Sequence, residues 1–296
     1  PEVEGAKFRT VIDSNRNRKL KLVLSLLSIA WIILRIRPDT VISTGAAPGF
    51  FAILIGKLLG KRTIWIDSIA NAEELSMSGQ KAGKYATHWL TQWEQLAKPE
   101  GPHCYGNVLG EQSSQGDDQL NPIHNQQSAM SNKNPEPFRI FVTVGTDQHF
   151  DRMVKIIDQW AANNPAKEVF AQIGDANYQP SYIEHSKFLA PQEFVSQVES
   201  ASLIIAHAGM GTILTALKHQ KPILVMPKLA SLGEHRNEHQ TATAKHLSSQ
   251  GKVNVVFNER SLLENLDNLD KLTVTSKAGT YASTTLTNQL KALIQN

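Results

Sequence analysis

The sequence predicts an α/β protein built from two halves, each with a parallel sheet, and three observations predict it. Apolar runs of four to six residues alternate with helix patterns through both halves, the pattern of strands buried on both faces. A polar stretch without an aromatic residue, GEQSSQGDDQLNPIHNQQSAMSNKNPEP at 110–137, separates the halves. Glycines and polar side chains gather just after the strand runs, where ligands bind in such sheets.

The first helix is LKLVLSLLSIAWIILRI, residues 20–36. It is shorter than the ~20 apolar residues of a membrane span and lacks a secretory cleavage pattern. Residues 1–37 hold eight basic side chains against three acids. An apolar helix with basic flanks suits an anionic membrane surface, and it equally suits burial as an ordinary helix of an α/β domain; both hold for one helix with two faces. The reading continues with a strand at 39–44, a helix at 47–60 closed by Gly60, a strand at 62–67 and a short strand within 86–92.

Residues 110–137 are rich in Gln, Asn and Ser and have no period of two or 3.6. Such composition buries too little apolar surface to offset ordering entropy, so the stretch reads as a flexible linker. The expected domains are therefore 1–109 and 138–296. In the second, strands are expected at 139–145, 168–174, 202–208, 222–227 and 252–257, and helices at 151–164, 191–200, 211–219 and 235–249, with closing helices after the last strand.

Composition narrows the chemistry only a little. Hydrophobic content of 41% is that of a globular protein, and the single Cys104 excludes an internal disulfide framework. The net charge is +3, and no nucleic-acid partner is expected.

The site candidates all follow strands. Gly145 and Thr146, in VGTDQHFD, offer a sharp turn, a hydroxyl and a free N–H that could hold a phosphate; a plain strand-to-helix turn is the alternative. In AHAGMGT, Gly209 and Gly211 would admit a ligand close to the backbone. The N–H groups of Met210, Gly211 and Thr212 open a helix whose dipole favours a diphosphate, with His207 as a further donor. In GEHRNEHQ, Glu234, Glu238, His239 and Gln240 crowd a loop and a helix start, where a carboxylate can accept both hydroxyls of a ribose. His235 to His239 also fit H-x-x-E-H, a zinc pattern. The stretch follows a parallel strand and no third ligand helix follows, so no metal is expected. In the first half, STGAAPG at 43–49 and Asp67-Ser68 occupy the corresponding strand ends.

FVTVGTDQHFDRMV, AHAGMGTILTALKHQKPILVMP and GEHRNEHQ resemble the donor-binding subunit of the two-part N-acetylglucosaminyltransferase that adds the second sugar to dolichol-linked oligosaccharide. They resemble still more its bacterial relatives in capsule and exopolysaccharide synthesis. VISTGAAPGFFAILIGKLLGKRTIWIDSIANAEELSMSGQ and LTQW resemble the membrane-associated acceptor subunit, so the chain looks like the two subunits fused. The resemblance implies a MurG-like architecture of the glycosyltransferase family 28 type (GT-B), with two Rossmann-like domains facing a cleft. It implies a UDP-sugar as donor substrate, no cofactor, a polyprenyl-diphosphate-linked sugar as acceptor, and a place on the cytoplasmic face of the inner membrane through helix 20–36. It puts Gly145, Thr146, His207, Gly209, Met210, Gly211 and Thr212 at the diphosphate, Phe188 and Leu189 at the uracil, and Glu238, His239 and Gln240 at the ribose or donor sugar.

Two departures accompany it. The family's ribose-binding glutamate is replaced by Thr215, which shifts that expectation to Glu234 or Glu238. The opening strand and Gly-Gly-His loop of the acceptor domain have no match, so the first domain is expected to lack its first strand or strands, roughly fifty residues. Asp67 and His149 are the candidate general bases within the chain, and the absent loop is the other candidate. A UDP-sugar epimerase of related fold and a catalytically silent membrane-recruitment or scaffold protein are the alternatives to an inverting transferase.

Overall fold

The computed structural model describes residues 7–11, 19–110, 137–236, 238–269, 272 and 282–295. Apart from Gly110 and Pro137, the expected linker lies outside the described residues. The chain divides into two compact units, residues 1–108 with 282–296, and residues 109–281.

The first unit is a four-stranded parallel sheet in the order β1 (Thr40–Ser43), β2 (Arg62–Ile66), β3 (His88–Thr91), β4 (His103–Cys104). Helix α1 (Lys19–Ile36) packs on α2 (Ala46–Leu58), and α2 covers β1 and β2. Helix α1 is two-faced. Ser25, Ile29 and Ile33 are buried, whereas Leu20, Leu24, Leu27, Trp31 and Leu34 form an exposed stripe at helical spacing. One face of the helix is thus buried, as for an ordinary helix of an α/β domain, and the other is exposed. No helix among the described residues is long and apolar enough to cross a membrane.

A short helix, α3 (Met77–Ala82), is capped by the Ser76 hydroxyl, which accepts from Gly79 N–H. Asp67, at the end of β2, holds the loop before it. Its buried carboxylate accepts from Trp65 Nε1, Asn71 Nδ2, Ser76 N–H and the Ser76 hydroxyl, the last at 2.6 Å.

The second unit is a six-stranded parallel sheet built from β5 (Arg139–Thr143), β6 (Glu168–Gln172), β7 (Glu184–Ser186), β8 (Leu203–His207), β9 (Ile223–Met226) and β10 (Asn254–Val255). Their spatial order is β10-β9-β8-β5-β6-β7. The chain builds outward from β5 through β6 to β7, then returns to add β8 on the other side of β5. That reversal makes the doubly wound Rossmann topology, with its crevice between the carboxyl ends of β5 and β8.

Helix α4 (Asp151–Ala162) presents Met153, Val154, Ile157 and Trp160 to one face of this sheet, joined by Leu262 and Leu266 of α8 (Glu259–Leu266). Each such buried side chain contributes about 2 kcal/mol. Helices α5 (Pro191–Ser200) and α6 (Met210–Lys218) touch each other and pack on β5 and β8 respectively, and α7 (His239–Ser249) runs on to β10.

Every strand and helix expected from the sequence is present, with ends shifted by a few residues. Helix α3 and strands β4 and β7 were not foreseen. The second expected domain, 138–296, also needs correction. Helix α9 (Thr284–Gln295) belongs to the first unit, where Leu290 and Leu293 pack against Ile64, Ile66 and Leu90 and the Ile294 carbonyl accepts from Arg62.

Candidate functional site

A cavity of about 550 Å³ opens at the crevice of the second unit. One wall is made by Gly145, Thr146, His207, Gly209, Gly211, Thr212 and Thr215, the other by Phe188, Leu189, Pro191 and Phe194. Its size suits a small molecule. A larger hollow, about 640 Å³, lies at the opposite ends of the strands around Arg139 and Glu168. It is lined by Gln197 and Ser200 of the last turns of α5, whose carbonyl ends disfavour an anion. The crevice is the better site on topology and chemistry.

The glycines explain the wall. The imidazole of His207 sits between Gly145 and Gly209: a Cβ on Gly145 would lie 2.5 Å from its Cε1 and Nε2, and one on Gly209 2.1 Å from Nε2. Gly145 also has a φ of +77°, which a side chain tolerates poorly. Gly211 differs, because a Cβ there would meet nothing within 4 Å. Gly209 is the N-cap of α6, so the N–H groups of Met210, Gly211 and Thr212 form its first turn and have no carbonyl behind them. Burial first, then the Lys228 charge, push the His207 pKa down to about 4, with a hydrogen bond to the Thr143 backbone opposing them. The ring is thus neutral at physiological pH.

The structure brings together Gly145, Thr146, Phe188, Leu189, His207, Gly209, Gly211 and Thr212 around one cavity, with Met210 in the same helical turn. Thr215 lies there too, and its hydroxyl donates to the Gly211 carbonyl at 2.8 Å.

The other expected residues do different work. Glu234 is buried and ion-paired with Arg152 at 2.6 Å, while its second oxygen accepts from Leu229 N–H. It holds the loop after β9 against α4 instead of facing the cavity. Glu238 accepts from the N–H groups of Ala230 and Ser231 through one oxygen, bracing the same loop. Gln240 is buried, and its Oε1 accepts from both Ala208 N–H and Lys228 N–H. Its carbonyl oxygen therefore joins the ends of β8 and β9. Asn237 and the side chain of His239 lie outside the described residues. Asp67, with four donors on its two oxygens, has no free lone pair suited to take a proton from a substrate. His149 Nδ1 has no hydrogen-bond partner, the nearest carboxylate oxygen being that of Asp151 at 3.6 Å. Among the described residues no group of three or more His, Cys, Asp or Glu is placed to hold a metal ion.

Sequence reasoning missed Lys228. It follows β9 and is fully buried. Its ammonium donates to the carbonyls of Asp147 and Gln148, in the loop after β5, and lies 5.8 Å from the Phe150 ring centroid. Burial lowers its pKa to about 8, against the pull of Asp147 and Glu234. A lysine directly after a Pro-bounded apolar strand was the available signal.

Comparison with known proteins gives three findings. The Glycosyltransferase family 28 C-terminal domain matches residues 139–295. A UDP-N-acetylglucosamine–N-acetylmuramyl-(pentapeptide) pyrophosphoryl-undecaprenol N-acetylglucosamine transferase of Prochlorococcus marinus strain MIT 9215 is 28% identical over 94 residues, 30% of this chain. The match spans only 25% of that relative's length. Among solved structures, Acinetobacter baumannii MurG superposes with a TM-score of 0.57 at 16% identity, covering 94% of this chain and 79% of MurG. A UDP-GlcNAc 2-epimerase from Neisseria meningitidis, bound to UDP-GlcNAc, gives 0.61 at 12% identity, covering 96% and 84%. These two likenesses show a shared fold.

Proposed function

The chain belongs to glycosyltransferase family 28, and from that premise we propose that it transfers a sugar from a UDP-sugar to a polyprenyl-diphosphate-linked acceptor. The observation that carries this is the neutral His207 held between two glycines at the mouth of the α6 N-terminus, in a cavity closed opposite by Phe188 and Leu189. The diphosphate rests on the N–H groups of Met210, Gly211 and Thr212, with Gly145, Thr146 and His207 around it. Uracil packs against Phe188 and Leu189. Thr215 offers only its hydroxyl lone pairs to the ribose.

The acceptor hydroxyl attacks the anomeric carbon and displaces UDP with inversion. Charge grows on the leaving diphosphate, and the fixed N–H donors stabilise it there more than in the ground state; this reading calls on no metal. Glu234, Glu238 and Gln240 support the site by bracing its loops. Of the two candidate bases, Asp67 has its carboxylate engaged by four donors, and His149 has a buried Nδ1 without a partner. The exposed stripe of α1, with Lys21, Arg35 and Arg37 beside it, lies against an anionic membrane surface and gives access to a lipid-linked acceptor. The pathway setting is exopolysaccharide or capsule synthesis.

The test is product analysis with a panel of UDP-sugars and a polyprenyl-diphosphate-linked acceptor. Release of UDP with a glycosylated lipid supports transfer. Conversion of the free UDP-sugar without acceptor would instead identify an epimerase.

A further inference from the structure

Three loops meet at the crevice, after β5, β8 and β9, and two side chains join them. The Gln240 amide oxygen accepts from Ala208 N–H at 3.2 Å and from Lys228 N–H at 3.1 Å. The Lys228 ammonium then crosses to the β5 loop, donating to Gln148 at 2.6 Å and to Asp147. Gln148 has a φ of +52°, a conformation unfavourable for a residue with a side chain. A buried cation thus clamps the backbone of the loop that carries Gly145 and Thr146.

A buried lysine needs a reason. Its desolvation is costly, its partners here are two neutral carbonyls, and the two acids nearest in charge, Asp147 and Glu234, make no direct ion pair with it among the described contacts. Glu234 is engaged by Arg152. A methionine of similar length would fill the space without that cost. What only the lysine supplies is a fixed positive charge beneath the diphosphate cradle, close enough to His207 to depress its protonation.

We propose that Lys228 is a positioning residue for the donor diphosphate: it holds the Gly145–Thr146 loop through the carbonyls of Asp147 and Gln148 and places a buried positive charge behind the cradle. It acts through the loop and through space, without touching the sugar. The inference rests on the UDP reading of the crevice.

Its charge state makes the role measurable. The ammonium loses its proton through about pH 8 in the folded chain, because burial disfavours the charge. The charged and titratable groups that face it are Asp147 and Glu234, from the β5 and β9 loops, with Arg152 of α4 paired to Glu234 and His207 at the end of β8. UDP affinity therefore falls as pH rises through 8. Stability moves the other way. The unfolded lysine keeps its proton up to about 10.5, so between 8 and 10.5 the unfolded chain binds more protons and folding stability rises with pH. A lysine that served packing alone would give the second trend without the first.

The experiment is calorimetric titration of the full chain with UDP from pH 7 to 9.5, alongside denaturant unfolding at each pH. The expected result is at least a tenfold loss of affinity across that range while stability rises. Lys228→Met, folded by circular dichroism, should bind UDP at least tenfold more weakly at pH 7 and show no pH dependence. Equal UDP affinity at pH 7 and 9.5 in the unsubstituted chain overturns the proposal, even if Lys228→Met fails to fold. Unaltered affinity in folded Lys228→Met overturns it as well. Absence of UDP binding at pH 7 in the unsubstituted chain would remove the crevice reading itself, and this inference with it.

Discussion

The ring of His207 occupies the space that a side chain on Gly209 would need, with Nε2 only 2.1 Å from the position of a Cβ. This separates two glycines that look alike in the sequence. Gly209 is glycine to make room for a neighbouring side chain. Gly211 faces open cavity.

Gly211→Leu should therefore fold normally and lose UDP binding by about a hundredfold or more, since its side chain enters the proposed diphosphate position. Gly209→Ala should instead destabilise the second unit by about 1–3 kcal/mol through overpacking. Calorimetry with UDP and denaturant unfolding distinguish the two, and unchanged UDP affinity in Gly211→Leu would remove the diphosphate assignment.

His207 predicts an acid-sensitive fold. Its pKa is depressed to about 4 in the folded chain from about 6.5 unfolded. Between those values the unfolded chain binds more protons, so the His207 contribution is full above pH 6.5 and is lost as pH falls toward 4. Urea midpoints measured from pH 7 to 4.5 should fall less steeply in His207→Asn than in the unsubstituted chain.

Asp67 is expected to matter for stability and not for proton transfer. Asp67→Asn disturbs a carboxylate that accepts from Trp65, Asn71 and twice from Ser76, a loss of about 1–3 kcal/mol. Once corrected for folded protein, the limbs of its pH–rate profile should stay where they were. Loss of the acidic limb, with a rate at least about a hundredfold lower, would restore Asp67 as the base.

The strands and the crevice were legible in the sequence, but the allocation of polar residues around it was not. Wholly apolar runs such as Leu203–Ala206 and Ile223–Met226 announce buried parallel strands by composition alone. Strand β7, Glu-His-Ser, carries no such signal; its pairing with Phe170–Gln172 of β6 makes it a strand. The preceding loop is pinned by buried Asp158, whose carboxylate accepts from Tyr178 and the N–H groups of Ser181, Tyr182 and Ile183. Those contacts join residues about twenty positions apart or more, which local pattern does not reveal. Likewise the crowd of acids and amides at 234–240 looked like ligand groups. Arg152 and the loop N–H groups, distant in sequence or part of the backbone, had already engaged Glu234 and Glu238.

Asp158 gives a prediction of its own. Burial opposes its charge, but the Tyr178 hydroxyl and three N–H donors outweigh that and lower its pKa. Asp158→Ala would orphan those donors and should cost about 3 kcal/mol or more, read as a lower denaturant midpoint.

The exposed stripe of α1 predicts binding to anionic vesicles. Trp31 is 57% and Leu27 59% exposed, so replacing both by glutamate should leave folding intact. Co-sedimentation with phosphatidylglycerol vesicles should fall at least tenfold, and transfer to a lipid-linked acceptor should fall with it. Equal sedimentation of both proteins would remove the membrane assignment from this face.

Helix α9 returns from the second unit to lay Leu290 and Leu293 on the first unit's sheet. A polypeptide broken between residues 110 and 137 would therefore yield unequal partners: the amino-terminal piece would lack part of its own interior, and the carboxyl-terminal piece would carry that missing part as a surplus helix. The amino-terminal piece would depend on the carboxyl-terminal one for its missing helix, so it would not behave as an autonomous module.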